Sequence, residues 1–333
     1  MPDPTRPDPT RPETTRRLAV RKTYKLFIGG AFPRSESGRS YPVTGAKGRF
    51  LANAALASRK DVRDAVLAAR KAFPGWSGRT PYNRGQILYR IAEMLEGRRA
   101  QFVTEISAAE GLNARRVEPY VDAAIDRWVW YAGWADKIAQ VYGNANPVAG
   151  PYFNLSAPEP TGVVGVVAPQ SGADEPPGAA QRQPSGASLL GLVSVLAPVI
   201  VTGNTAVLLA SERYPLPAIT LAEVLATSDL PGGVVNVLTG RPTETAPWLA
   251  GHMDVNAVDL TGVEDPGFAT ELEQAAAENL KRVVRPGCPV SSGHGSRTES
   301  TGPAERNNWL SDPGTERLTA FLEIKTVWHP KGA

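Results

Sequence analysis

The sequence predicts an α/β protein built on a doubly wound parallel sheet. Two observations carry that prediction. Short, largely apolar runs recur at 163–168, 205–209, 234–238, 255–260 and 280–284, and strands without polar alternation belong to sheets buried on both faces. Amphipathic segments of crossover length, notably 216–226 and 266–279, lie between most of them, as parallel pairing requires. Ligands of such sheets sit beyond the carboxyl ends of the strands, so functional residues are expected just after each run.

The remaining elements follow from local pattern. Residues 1–20 repeat Asp-Pro-Thr-Arg-Pro with almost nothing apolar, which predicts a disordered Pro/Arg-rich tail acting as a solubilising extension. Over 21–140 the chain reads as a strand at 25–28, a turn at Gly29 and Gly30, a strand near 41–44, and then helices. Ser58 and Asp61 have capping-box spacing, followed at helical intervals by Val62, Ala65, Val66, Ala69 and Phe73. A second helix starts at Pro81 behind Thr80, with Ile87, Leu88, Ile91 and Leu95 as its buried stripe. A third is expected over 116–140, where Trp128, Trp130, Tyr131 and Trp134 are read as packing rather than as a binding surface. Residues 285–317 are polar and Gly/Pro-rich and read as a linker. Residues 318–333 turn apolar again and end in a strand-like stretch at 324–328, which needs a pairing partner.

Composition excludes several functions. With 333 residues, 42% of them hydrophobic and 21% charged, the chain can bury a large core. A net charge of +3, from 36 basic and 33 acidic residues, is too balanced to indicate nucleic acid. One cysteine, Cys288, makes neither an internal disulfide nor a Cys-rich zinc site, and His252, His294 and His329 stand without partners at metal-ligand spacing; no metal is expected. Arg16 and Arg17 are followed by Leu18-Ala19-Val20 and at once by Arg21 and Lys22, leaving no apolar export signal. The longest apolar stretch, 189–201, is shorter than a membrane span. The expectation is a cytoplasmic protein.

Four segments carry a resemblance. They are Pro160-Thr-Gly-Val-Val-Gly-Val-Val-Ala-Pro169, the stretch from Leu196 through Val207-Leu-Leu-Ala-Ser-Glu212, Leu230-Pro-Gly-Gly-Val-Val-Asn-Val-Leu-Thr-Gly240, and Asp259-Leu-Thr-Gly262. In order and spacing they resemble the NAD(P)-dependent aldehyde dehydrogenase superfamily over roughly residues 24–284, and Phe321-Leu-Glu-Ile-Lys-Thr-Val-Trp328 resembles its C-terminal tail. The resemblance implies a Rossmann-like core over 161–284, a β-hairpin oligomerisation arm over 141–160 and a C-terminal oligomerisation strand over 318–333.

It also exposes departures. The family pattern continues after Ala168-Pro169 with Trp-Asn-Phe-Pro, whose Asn stabilises the oxyanion; here Ser171 falls at that Asn. The Lys-Pro-Ser-Glu segment that contacts the adenosine ribose becomes Leu209-Ala210-Ser211-Glu212, which keeps Glu212 and loses the cation. The phosphate turn, Thr-Gly-Ser-x-x-x-Gly, becomes Thr261-Gly-Val-Glu-Asp-Pro-Gly267. Gly262 and Gly267 keep the spacing, and Glu264 and Asp265 oppose a pyrophosphate unless their side chains point away. Where the family places a general-base Glu the chain has Val284-Arg285-Pro286-Gly287, and about forty residues stand in place of a second α/β domain. Cys288 lacks the nucleophile's usual context, with Arg285 the one nearby cation. The resemblance therefore implies a short family member without the catalytic domain. Its expected role is a structural or regulatory subunit of a full-length aldehyde dehydrogenase paralogue, with NAD a weakened expectation. Active aldehyde oxidation with NAD(P), or a free NAD(H)-binding module using Glu212, Gly262 and Gly267, are the alternatives.

Overall fold

The computed structural model describes residues 22–170, 186–286 and 309–331; the tail over 1–20, Ser171, Cys288 and His294 lie outside the described residues. The first strands are β1 (Thr23–Tyr24), β2 (Ser40–Thr44) and β3 (Phe50–Ala55), in the order β1-β3-β2. The strand expected at 25–28 does not form: β1 lies just before it, and within it only Phe27 and Ile28 make isolated bridges. Phe27 exchanges backbone hydrogen bonds with Val237 at 2.9 and 2.7 Å, and Ile28 pairs with Ala31 around Gly29 and Gly30, whose φ values of 63° and 85° favour glycine.

Helices follow: α1 (Arg59–Ser77), α2 (Pro81–Glu96), α3 (Arg99–Glu110), α4 (Ala114–Trp134) and α5 (Ile138–Tyr142). The capping box forms as expected, Ser58 N–H donating to Asp61 at 2.7 Å and Asp61 N–H to Ser58 Oγ at 3.4 Å. Thr80 caps α2 by accepting from Asn83 N–H. The helix expected over 116–140 is divided into α4 and α5, while α3, which buries Phe102, Val103 and Ile106, was not foreseen. Trp128 and Tyr131 are fully buried, so the aromatics of α4 are packing residues.

A hairpin of β4 (Asn144–Asn146) and β5 (Tyr152–Pro160) leads into the main sheet. Its strands are β6 (Val163–Val167), β7 (Thr205–Leu209), β8 (Val235–Leu238), β9 (Ala257–Asp259) and β10 (Arg282–Val284). All pairs are parallel, in the order β10-β9-β6-β7-β8. The connecting helices are α6 (Leu192–Val201, entered through a π-helical turn at Ala187–Gly191), α7 (Leu216–Ala226), α8 (Pro242–Ala250) and α9 (Pro266–Ala277). Strand residues alternate between two cores. Val163, Val167, Val207 and Val258 meet α1, α8 and α9, whereas Val164, Val166, Leu208 and Ala257 meet the layer containing α6 and α7. The order reverses between β6 and β9, which defines the doubly wound topology and its switch point.

The segment closing the chain is α10 (Glu316–Ala320) and β11 (Leu322–Pro330). Part of the expected linker is therefore packed: Trp309 is 6% exposed and Arg317 3%. Arg317 Nη1 donates to the fully buried Asp259 at 2.6 Å and Nη2 to Thr261 Oγ1 at 2.7 Å. Arg127 Nη2 donates to the carbonyls of Trp309 and Ser311, both at 2.9 Å. Leu318 and Phe321 enter the core on the α6 side, and the Phe321 carbonyl accepts from Asn204 at 2.8 Å. β11 then pairs antiparallel with β5 from Leu322↔Pro160 to Pro330↔Tyr152. The partner that the terminal strand needs thus lies within the chain.

Removing one member of a buried ion pair strands the other's charge. Arg317→Met is expected to lower unfolding free energy by about 3–5 kcal/mol, and Asp259→Ala with Arg317→Met together to recover most of that loss. Urea denaturation of the two variants against the parent checks both outcomes.

Candidate functional site at the carboxyl edge of the sheet

The ends of β6, β7, β8 and β9 converge on one edge. After β6, Gln170 ties two of them together: its side-chain amide donates to Ala168 O at 2.8 Å and its carbonyl accepts from Glu212 N–H at 2.9 Å. Gln170 stands where the family pattern has Trp, so the first position of the expected Trp-Asn-Phe-Pro run serves as a polar brace. Glu212, at the end of β7, keeps an exposed carboxylate, with Arg241 Nε at 3.6 Å and Arg241 itself bonded to Glu244 at 2.9 Å. These exposed pairs contribute little to stability. The Tyr41 hydroxyl donates to Glu212 O at 3.2 Å, and burial followed by the Glu212 charge pushes its phenol well above the usual range.

The turn after β9 is built differently. Asp259 Oδ1 accepts from Thr261 N–H at 2.9 Å and from its hydroxyl at 2.5 Å. Gly262 donates to Val167 O at 3.1 Å, and a Cβ there would lie 1.9 Å from Ala168 O. Only glycine fits between the ends of β9 and β6. Gly267 is uncrowded: a Cβ would meet nothing nearer than the Asp265 carboxylate at 3.6 Å. Asp265 does not point away from α9. It accepts from Gly267 N–H at 3.2 Å and Phe268 N–H at 3.0 Å, as the N-cap. Its sequence signal was the Asp-Pro pair opening an apolar helical pattern, a capping signature.

The sequence candidates therefore separate. Glu212 and Gly262 sit on the strand ends flanking β6, whereas Gly267 lies within α9. Val284 is buried, and Arg285 turns back to Glu273 of α9 at 3.0 Å. Among the described residues no group of His, Cys, Asp or Glu has the arrangement to hold a metal, and no helix is long and apolar enough to cross a membrane. His252 serves a turn, its Nδ1 accepting from Asp254 N–H at 3.1 Å, and burial draws its pKa down. Trp309 packs beside Gly191, where an added side chain would meet it at 3.1 Å and Pro169 at 3.3 Å.

The sheet order, its reversal between β6 and β9 and the tight glycine turn after β9 define a dinucleotide-fold domain. Comparison with known proteins gives the family. The aldehyde dehydrogenase family model matches residues 33–170 and 184–285, and the chain belongs to that family. It is 32% identical over 269 residues to cytosolic aldehyde dehydrogenase 1 of Elephantulus edwardii, covering 78% of this chain and 49% of that protein. It also resembles the NAD+ complex of aldehyde dehydrogenase from Bacillus cereus (TM-score 0.70, 26% identity, 79% of this chain and 50% of the other). Similarity to the HpcC protein of Thermus thermophilus is comparable (TM-score 0.70, 29% identity, 81% and 50%). The chain spans about half the length of the relatives it matches.

NAD fits this edge only in part. Glu212 offers an exposed acceptor to ribose hydroxyls, but the amide hydrogens that would meet a pyrophosphate at α9 are bonded to Asp265.

The two glycines are expected to respond oppositely to alanine. Gly262→Ala forces a backbone shift and costs about 1–3 kcal/mol, whereas Gly267→Ala, helical and uncrowded, is neutral or stabilises by up to about 1 kcal/mol. Chemical denaturation distinguishes them.

Proposed function

We propose that the protein is a non-catalytic subunit that assembles with a full-length aldehyde dehydrogenase, in the cytoplasm. The observation that carries this reading is the three-stranded sheet β11-β5-β4. Phe153, Leu155 and Val327 share one face and are about half exposed; Tyr152, Ile324 and Trp328 are similarly exposed on the other. The outer edge of β11 has no neighbour among the described residues. Apolar faces with an open edge are an aggregation hazard unless a partner covers them.

The edge chemistry supports the same reading. Arg285, the cation nearest to Cys288 in the sequence, is paired with Glu273, and the position after β10 carries no carboxylate. A thioester route needs a nucleophile, a base and an oxyanion donor, and the sequence departs from the family's pattern at each: Ser171 falls at the oxyanion Asn, Val284-Arg285-Pro286-Gly287 at the base, and Cys288 lacks the nucleophile's usual context.

Size-exclusion chromatography with light scattering tests the assembly after co-expression with a full-length paralogue. Co-elution as a mixed oligomer is expected, and Val327→Asp with Trp328→Asp should release the chain. A chain that remains monomeric beside the paralogue, or closes on itself as a homo-oligomer, would refute the proposal. Incubated alone with NAD and aldehydes, it is expected to form no NADH; turnover would favour independent aldehyde oxidation.

A further inference from the structure

A helix N-terminus holds an anion through amide hydrogens that nothing else has taken. At α9 those hydrogens are spent. Pro266, at the first helical position, has none, and Gly267 and Phe268 give theirs to the Asp265 carboxylate at 3.2 and 3.0 Å. Ala269 N–H goes to the Asp265 carbonyl at 2.9 Å. Upstream, both donors of Thr261 serve Asp259, Gly262 N–H serves Val167 O, and Val263 N–H serves Leu260 O at 2.9 Å. Val263, where the resembled pattern has a serine hydroxyl, is 6% exposed and packs into the core. Glu264 adds a second exposed negative charge beside Asp265.

We propose that Asp265 is a specificity-determining residue that excludes phosphate from this crevice: its carboxylate takes the place of a ligand phosphate on α9, so the chain does not bind NAD(H). The disagreement with the NAD-bound relatives is local. The fold, the switch point and Glu212 stay compatible with a nucleotide, while the anion position is filled from within. A carboxylate resident on two amides opposes an incoming pyrophosphate twice, by holding the donors and by like-charge repulsion. The ordinary role of an Asp-Pro N-cap is helix stabilisation. Asp265→Ser separates the two, because serine still caps the helix and carries no charge.

The test is titration of the full chain with NADH, followed by nicotinamide fluorescence, for the parent, Asp265→Gly and Asp265→Ser, with thermal unfolding run in parallel. The parent is expected to show no saturable binding up to millimolar NADH. Asp265→Gly should bind at least about tenfold more tightly than the parent, and Asp265→Ser should gain in the same direction while keeping the parent's unfolding temperature. Should Asp265→Gly fail to fold, the serine variant alone decides. Saturable binding by the parent overturns the proposal, as does a folded variant that binds no better than the parent. The readout is independent of oligomeric state, so failure of the subunit reading leaves it unchanged.

Discussion

A carboxylate at the end of a central strand, with no exposure to water, is tolerated only if a cation reaches it. Asp259 ends β9, beside the switch point, and Arg317 is that cation. Because Arg317 belongs to the segment that follows the main sheet, the pair decides where the returning chain must lie. From that anchor the other contacts follow in space. Trp309 packs beside Gly191, its carbonyl is held by Arg127, and Leu318 and Phe321 enter the core on the α6 side. A parallel sheet must be covered on both faces. α8 and α9 serve one face, and α10 helps close the other.

The same anchor sets the arm. Asn204 donates to the Phe321 carbonyl while its own side-chain oxygen accepts from Gly162 N–H at 2.7 Å, so one buried amide fixes the end of α10 against the start of β6. Leu322 then lies opposite Pro160, and the rest of β11 zips along β5 in unbroken register. Inward-facing Asn154 is buried and bonded to Asn146 at 2.6 Å, which ties the hairpin. Beyond Leu322 the strand has no further core to rest on, and its apolar residues face outward. Rigid attachment at one end and apolar exposure along the rest are what a docking element requires.

Fold class was legible because period and composition agree over the sheet: runs rich in Val, Leu and Ala and the crossover lengths between them indicate the same architecture. α1 and α2 were legible for the same reason, through Ser58, Thr80 and Pro81. α3 was missed because its start has no capping side chain, Arg98 making no such bond. The break between α4 and α5 was missed because the one nearby marker, Gly133, lies inside α4 and Ala135 to Lys137 carry none of their own. At the site, Glu212, Gly262 and Gly267 were placed by resemblance to the family's motifs, and a motif match cannot tell crowding from freedom. The Asp259–Arg317 pair was invisible for a deeper reason. Its members stand 58 positions apart, and an aspartate inside an apolar run and an arginine in a polar stretch each look like local exceptions until the chain folds them together.

That difference between a motif match and crowding bears on how much a retained motif says about a retained ligand. Gly262 is compelled by the close passage of the turn over Ala168 and Val167, a constraint set by the sheet whether or not a nucleotide binds. A motif residue of this kind reports the fold. Asp265, by contrast, answers a chemical requirement of the same turn: two amide hydrogens at the head of α9 must bond to something. In a nucleotide site they are left for the ligand, at some cost to the free protein's helix; here a side chain satisfies them permanently. Family membership through the sheet and departure at the anion position are therefore compatible, because they rest on different atoms of one loop.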